Sequence, residues 1–261
     1  MVNEVIWACV FTALCWWVGT GVILWLDRLN PRSFRFSLAG WTLLLALSFA
    51  GVAHSMRDVS VSNAYLAFGS VIVMWGWHEL TFLTGWITGP RKTPLEAGAQ
   101  GWRRFVQSVQ VMLYHELALL ANFCVLWWMQ EGQPSHVAIC TYALLWCMRL
   151  SAKLNLFFGV PQNGAHYLPS HLTYLASYFR TRNMTLWFVL SMGVAMGTWF
   201  WLVWLAQQGA VAITTGWVML ATLLGLAIVE HIIMIFPWPL ERLWGWAMGQ
   251  SSVESALSTP P

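Results

Sequence analysis

Apolar residues fill this chain in runs of about twenty, broken by short polar punctuation, and each run is long enough to cross the ~30 Å of a bilayer as a helix. Such runs fall at about 5–26, 37–56, 62–87, 108–129, 136–159, 186–207 and 211–236. Turn-forming strings separate them: NPR at 30–32, TGPRKTP at 88–94, EGQP at 131–134 and GVPQNG at 159–164. The predicted fold class is therefore all-α, a polytopic transmembrane helix bundle of about seven spans, with residues 1–250 forming one domain. Residues 164–182, GAHYLPSHLTYLASYFRTR, are too polar to span. His171, Tyr174, Leu175 and Tyr178 recur there at helical spacing, which predicts a short helix lying at the membrane surface. Ser251 to Pro261 is a polar tail without periodicity and is expected to be disordered.

Composition sharpens this picture. The chain is 58% hydrophobic and 9% charged, against about 25% charged for a soluble domain, so lipid is the solvent the sequence fits. A net charge of +3 is too weak and too dispersed for a nucleic-acid partner. Lysines and arginines divide unevenly between the two ends of the predicted bundle. One end collects Arg28, Arg32, Arg35, Arg91, Lys92, Arg103, Arg104, Arg180, Arg182 and Arg242, while the other has Arg57. By the positive-inside rule the N-terminus is expected to be periplasmic and the C-terminus cytoplasmic. The first run has no basic leader before it and reads as a retained span. The five cysteines form no CxxC pair and read as small core hydrophobes. Of the twenty tryptophans, Trp25, Trp86, Trp127, Trp128 and Trp238 fall near span ends, where indole suits the interface, and Trp75, Trp77 and Trp146 lie deeper.

The candidate chemistry lies in three histidine–glutamate neighbours inside apolar runs: His78–Glu79 in WGWHELTF, His115–Glu116 in LYHELALL, and Glu230–His231 in AIVEHIIM. With the span limits above and a rise of 1.5 Å per residue, the three histidines lie about 14, 10 and 8 Å from the cytoplasmic ends of their helices. They form one layer, which His171 and His166 approach from the surface segment. Two readings are open. The glutamates pair with Arg149 and Lys153, which the fifth run carries to similar depth, because buried charges persist when paired. Alternatively His78, Glu79, His115, Glu116, His171, Glu230 and His231 supply ligands to iron, manganese or zinc. A single histidine in such a span can also ligate a bacteriochlorophyll magnesium or a haem iron axially. The Glu-x-x-His spacing of di-iron bundles is absent, as are a nucleophile triad, a phosphate loop and a dinucleotide fingerprint.

The strings WGWHELTFLTGWITGPR (75–91), YHELALL (114–120), MRLSAKLNLFFGVPQN (148–163), LPSHLTYLASYF (168–179) and LAIVEH (226–231) resemble the photosynthetic complex assembly protein 2 family, also called PuhE, over nearly the whole chain. The resemblance implies a multi-pass protein of the bacterial inner, intracytoplasmic photosynthetic membrane of purple phototrophs. It implies a role in assembling the reaction centre and light-harvesting complex, or in modulating bacteriochlorophyll supply, with their subunits and the lipid bilayer as partners. It assigns no catalytic residue and leaves open whether the protein is an enzyme. The alternatives are a His/Glu metal-dependent membrane oxidoreductase acting on a tetrapyrrole or isoprenoid pigment, and a pigment or haem carrier. The family pattern is acidic where this chain has His166, so that histidine is given no essential role. The motif positions His78, Glu79, His115, Glu116, Arg149, Lys153, Asn155, His171, Glu230 and His231 coincide with the buried polar layer.

Overall fold

The computed structural model describes residues 2–238 and 243–248, so Arg242 and the tail at 251–261 lie outside the described residues. The described chain is helical: α1 Val2–Asp27, α2 Phe34–Ser55, α3 Val61–Leu83, α4 Gly101–Gln110, α5 Leu113–Gln130, α6 Val137–Phe158, α7 Leu186–Ala206, α8 Val211–Ile233 and α9 Gly245–Met248. Six helices are each long and apolar enough to cross a membrane, and α4 with α5 makes a bent pair, 64° between axes, that brings the total to seven. Six of the seven predicted spans thus fall on single helices, and the fourth falls on the bent α4–α5 pair.

Burial ranks the helices. In α3 and α8, 56% of the most apolar window is buried, against 17–22% in α1, α2, α6 and α7, so α3 and α8 are central. Three apolar clusters tie the bundle together: α2, α3, α5 and α6 around Tyr142, Met74 and Leu119; α6, α7 and α8 around Leu220 and Leu224; α1, α3 and α8 around Phe68 and Met219. Between lipid-facing helices the drive to associate comes from close packing and interhelical hydrogen bonds. The α2–α3 pair shows both. A Cβ on Gly76 would stand 2.8 Å from the Trp41 ring, and one on Gly51 would stand 2.4 Å from Ser70 Oγ. Trp41 Nε1 donates to Val73 O at 3.1 Å, and Trp77 Nε1 to Thr42 Oγ1 at 2.9 Å.

α3 stops at Leu83, short of the predicted 87. Gly85 takes φ +77°, where a glycine carries no Cβ penalty. Its N–H reaches Phe82 O at 2.9 Å while Trp86 N–H reaches Thr81 O at 3.0 Å. Those two bonds satisfy the last carbonyls in a Schellman cap. The predicted fourth span also differs. Its first three residues, 108–110, belong to α4, which turns Arg104 and Gln107 inward and Trp102, Phe105 and Val109 outward. A polar inner face and an apolar outer face suit a helix lying in the interface.

The segment at 164–182 is 3-10 rather than α-helical, with turns at Ala165–Tyr167 and Ser170–Tyr178. Three residues per turn bring Leu172, Leu175 and Tyr178 onto one buried face. This segment, the loop after α3, and α4 close one end of the bundle. Arg104 donates to Phe157 O at 2.9 Å and Tyr178 O at 2.7 Å, and its guanidinium lies 4.0 Å from the centre of the Phe157 ring. Arg91 Nε donates to the Tyr178 hydroxyl at 2.8 Å, which donates in turn to Thr93 O at 2.9 Å. A single β-bridge joins Val160 to Thr181.

Glu96 fastens this cap at the surface, paired with Arg103 and, at 3.7 Å, with Arg91. The Gln107 side chain, and after it the two guanidiniums, hold the Glu96 carboxyl below its ordinary value. A depressed carboxyl contributes stability that is fully present above its unfolded value and lost as pH falls through the folded one. Acidification from neutral to below the usual carboxylate range is thus expected to lower the amide protection factors (exchange rates corrected for their intrinsic pH dependence) across residues 91–107, and Glu96→Gln to remove that pH response. Hydrogen-exchange mass spectrometry checks both; equal pH response in the two proteins sinks the assignment.

Two further expectations need adjustment. Cys124 and Cys147 are exposed on the outside of their helices rather than packed in a core. The three histidines lie nearer the helix ends than predicted, because α3 ends early and α5 starts late. His78 is five residues from Leu83, while His115 and His231 are each two residues from an end, so their depths are about 8, 3 and 3 Å.

Candidate functional site

Helix α6 organises the polar layer. Tyr142, Trp146, Arg149 and Lys153 recur at spacings of four, three and four, which places them along one stripe. That stripe faces α3 and α5. Arg149 Nη2 donates to Glu79 Oε2 of α3 at 2.7 Å. Lys153 Nζ pairs with Glu116 Oε1 of α5, and Trp146 Nε1 donates to Glu116 Oε2 at 3.1 Å. Two of the three intramembrane glutamates are thereby neutralised by the two cations of the same span. The Lys153 and Glu116 side chains are 13% and 22% exposed, whereas Arg149 is 41% exposed. Of the two, the Lys153 pair is the more enclosed.

The histidines occupy different sites. His78 Nε2 lies 2.9 Å from Asn122 Nδ2 on α5 and 3.4 Å from the Tyr142 hydroxyl. The Tyr142 proton goes to Leu119 O at 3.0 Å. With Asn122 donating, Nε2 accepts and the ring proton sits on Nδ1, which has no protein partner. His115 is 1% exposed and lies 4.7 Å, centre to centre, from the Phe82 ring. His231 Nδ1 donates to Ala227 O at 2.8 Å while Nε2 accepts from Ser151 Oγ on α6 at 3.1 Å, so both its nitrogens are committed. His171 Nε2 donates to Leu83 O at 2.7 Å and so belongs to the cap on α3.

Glu230 is the odd acid. It lies on the exposed side of α8, and its Oε1 accepts from Trp16 Nε1 of α1 at 2.8 Å. Next to it, Trp244 Nε1 donates to Trp17 O at 3.0 Å, and Trp17 Nε1 to Leu243 O at 2.8 Å. A Cβ on Gly21 would come 2.1 Å from the Trp246 ring, so the segment 243–248 sits tightly against α1.

The seven residues weighed as metal ligands are thus dispersed. Among the described residues, no group of three or more His, Cys, Asp or Glu side chains gathers around a point that could hold a metal ion. The physical reason is local: Glu79 and Glu116 are taken by cations, Glu230 turns outward, His231 spends both ring nitrogens on Ala227 O and Ser151 Oγ, and His171 spends Nε2 on Leu83 O. The partners that complete the layer were not among the sequence candidates: Asn122, Tyr142, Trp146, Ser151 and Trp16. A signal for the first three existed. His115, Leu119, Asn122 and Leu126 on α5 repeat the spacing of four, three and four seen on α6, marking the stripe that faces inward. Among the described residues, six buried atoms of the layer keep no protein partner: His78 Nδ1, Glu79 Oε1, His115 Nδ1, Asn122 Oδ1, Arg149 Nε and Asn155 Oδ1.

Together these features define a polytopic α-helical membrane protein with an internally paired charge layer. The chain belongs to the family described as "Protein of unknown function (DUF3623)", whose model matches residues 1–255. It is 38% identical over 256 residues to an "Uncharacterized 30.4 kDa protein in puhA 5'region" of Rhodobacter capsulatus, a match covering 95% of this chain and 92% of the relative. A shorter similarity, 32% over 71 residues, is to a UPF0060 membrane protein of Rippkaea orientalis and covers 26% of this chain and 62% of that protein. No solved structure matches the chain.

Proposed function

We propose that this protein is an integral-membrane assembly factor for the photosynthetic reaction centre and light-harvesting complex, residing in the intracytoplasmic membrane with its basic end in the cytoplasm. The genomic side of the reading rests on the relative from Rhodobacter capsulatus, whose name places it in the puhA 5' region. The observation in the molecule that carries it is the pairing of Glu79 and Glu116 with Arg149 and Lys153. Acids committed to cations act as a frame rather than as ligands, which leaves the outer surface as the part that meets other molecules. Helix α7 offers such a surface. Gly193 and Gly197 have nothing within 4 Å of a built Cβ, and Val194, Trp201 and Trp204 beside them are exposed. Small residues four apart allow close approach of a second transmembrane helix.

The test is deletion of the gene in a phototrophic host, followed by absorption spectra of isolated membranes. Loss of reaction-centre and antenna bands, restored by the wild type but only weakly by Gly197→Leu at equal protein level, is the expected result. Full restoration by Gly197→Leu removes α7 from the reading, and unchanged bands on deletion remove the assembly role itself.

A further inference from the structure

At the end of the bundle opposite the basic cap, α5 and α6 part to leave a cleft of ≈ 710 Å³, within the ~300–1,000 Å³ of small-molecule sites. Its walls are Phe123, Trp127 and Trp128 from α5 and Ile139, Cys140 and Ala143 from α6. Trp127 and Trp128 are largely exposed, so the cleft opens sideways into the region of the lipid chains. Phe123 and Ala143 are each seven residues in from the rim, so the walls run about 10 Å along the helix axes.

The rim carries Gln130, Glu131 and His136; Glu131 and His136 are exposed and each presents an acceptor, while the Gln130 oxygen is enclosed. Gln130 spends its amide N–H on Gln133 O at 3.0 Å, and its Oε1 is buried without a partner. Among the described residues Glu131 forms no ion pair. His136 Nδ1 lies 3.2 Å from Pro134 O; a carbonyl only accepts, so Nδ1 donates and Nε2 is left as a lone pair. Two exposed acceptors, one of them a carboxylate, therefore stand without a protein donor at headgroup level above an aromatic slot.

We propose that this cleft holds a bilayer phospholipid with a primary ammonium head, its acyl chain between α5 and α6 and its N–H donors on the Glu131 carboxylate and His136 Nε2. A quaternary ammonium fits the charge and lacks the donors. An anionic head meets the Glu131 carboxylate and is repelled.

Native mass spectrometry of the detergent-solubilised protein, offered equal amounts of phosphatidylethanolamine, phosphatidylcholine and phosphatidylglycerol with identical chains, tests this directly. Several-fold preferential retention of the ethanolamine lipid is expected. Glu131→Gln is expected to bring it down to the level of the choline lipid, and Ala143→Trp, which fills the slot, to reduce retention of all three. The wild-type comparison stands whether or not the variants fold. Equal retention of ethanolamine and choline lipids overturns the proposal. A preference unchanged in well-folded Glu131→Gln and Ala143→Trp proteins overturns it too, by moving the lipid elsewhere.

Discussion

Glu116→Gln is expected to lower the thermal midpoint of the protein in mild detergent and to cut its accumulation in the membrane, because it strands the Lys153 ammonium. That ammonium is 13% exposed and pairs with the Glu116 carboxylate alone. Removing one partner of a buried pair costs about 3–5 kcal/mol, since the remaining charge keeps its desolvation penalty and loses its compensation. The Trp146 indole bond survives the change, because a glutamine oxygen accepts it equally well, so the loss reports the ion pair. Adding Lys153→Met removes the stranded charge while keeping an unbranched side chain of similar length. The double variant is therefore expected to return to within about 1.5 kcal/mol of the wild type. Glu79→Gln is expected to cost less, because its partner Arg149 is 41% exposed and its guanidinium can turn toward headgroups. A double variant no more stable than Glu116→Gln alone would defeat the ion-pair account.

Gly89→Ala is expected to be as severe, for a steric reason. A Cβ there would stand 1.9 Å from Gln110 O and 2.6 Å from the Val111 carbonyl carbon, both backbone atoms at the break between α4 and α5. The loop cannot retreat without giving up the bond from His115 N–H to Thr88 O at 3.0 Å. Overpacking a well-packed site costs about 1–3 kcal/mol where side chains can move, and more where backbone must. Gly98 provides the contrast: its φ is +76° and nothing lies within 4 Å, so alanine there meets only the strain of the left-handed region, about 1–3 kcal/mol. Thermal melts and limited proteolysis of the 84–112 segment compare the two. If Gly89→Ala melts with the wild type, the loop does not dock on the helix break as described.

The spans and the one-sided distribution of arginines were legible because lipid imposes a length and an apolarity that any window along the chain detects. The depth of the polar layer was less so. Its estimate assumed that apolar runs end where helices end, and Gly85 stops α3 four residues early while α4 takes the first three residues of the predicted fourth span and α5 begins only at Leu113. The ion-pair reading set all three glutamates against Arg149 and Lys153, and the structure pairs only Glu79 and Glu116 with them, leaving one acid over. Which acid that would be depends on how α8 is rotated against α1, a property of packing that neighbouring residues in sequence do not encode. Trp16, more than two hundred residues away, is what answers Glu230. Adjacency in sequence misled in one respect. His78 and Glu79 are neighbours on α3, yet they point to different partners because successive helical positions diverge by about 100°. The 3-10 turn at 170–178 was read as α-helix because an i, i+3 apolar recurrence belongs to both.

The stripe on α6 has a consequence for how the chain enters the bilayer. A segment carrying both an arginine and a lysine is a poor substrate for partitioning on its own, each such residue adding about 2.5–3.5 kcal/mol near a helix centre. Its two carboxylate partners are on α3 and α5, and both precede it in the order of synthesis. When α6 leaves the ribosome, the counter-charges that let it settle are already embedded. Until that moment the earlier helices hold two acids facing no cation. The nascent chain therefore has a vulnerable interval that closes when α6 is handed directly from the translocon to its neighbours.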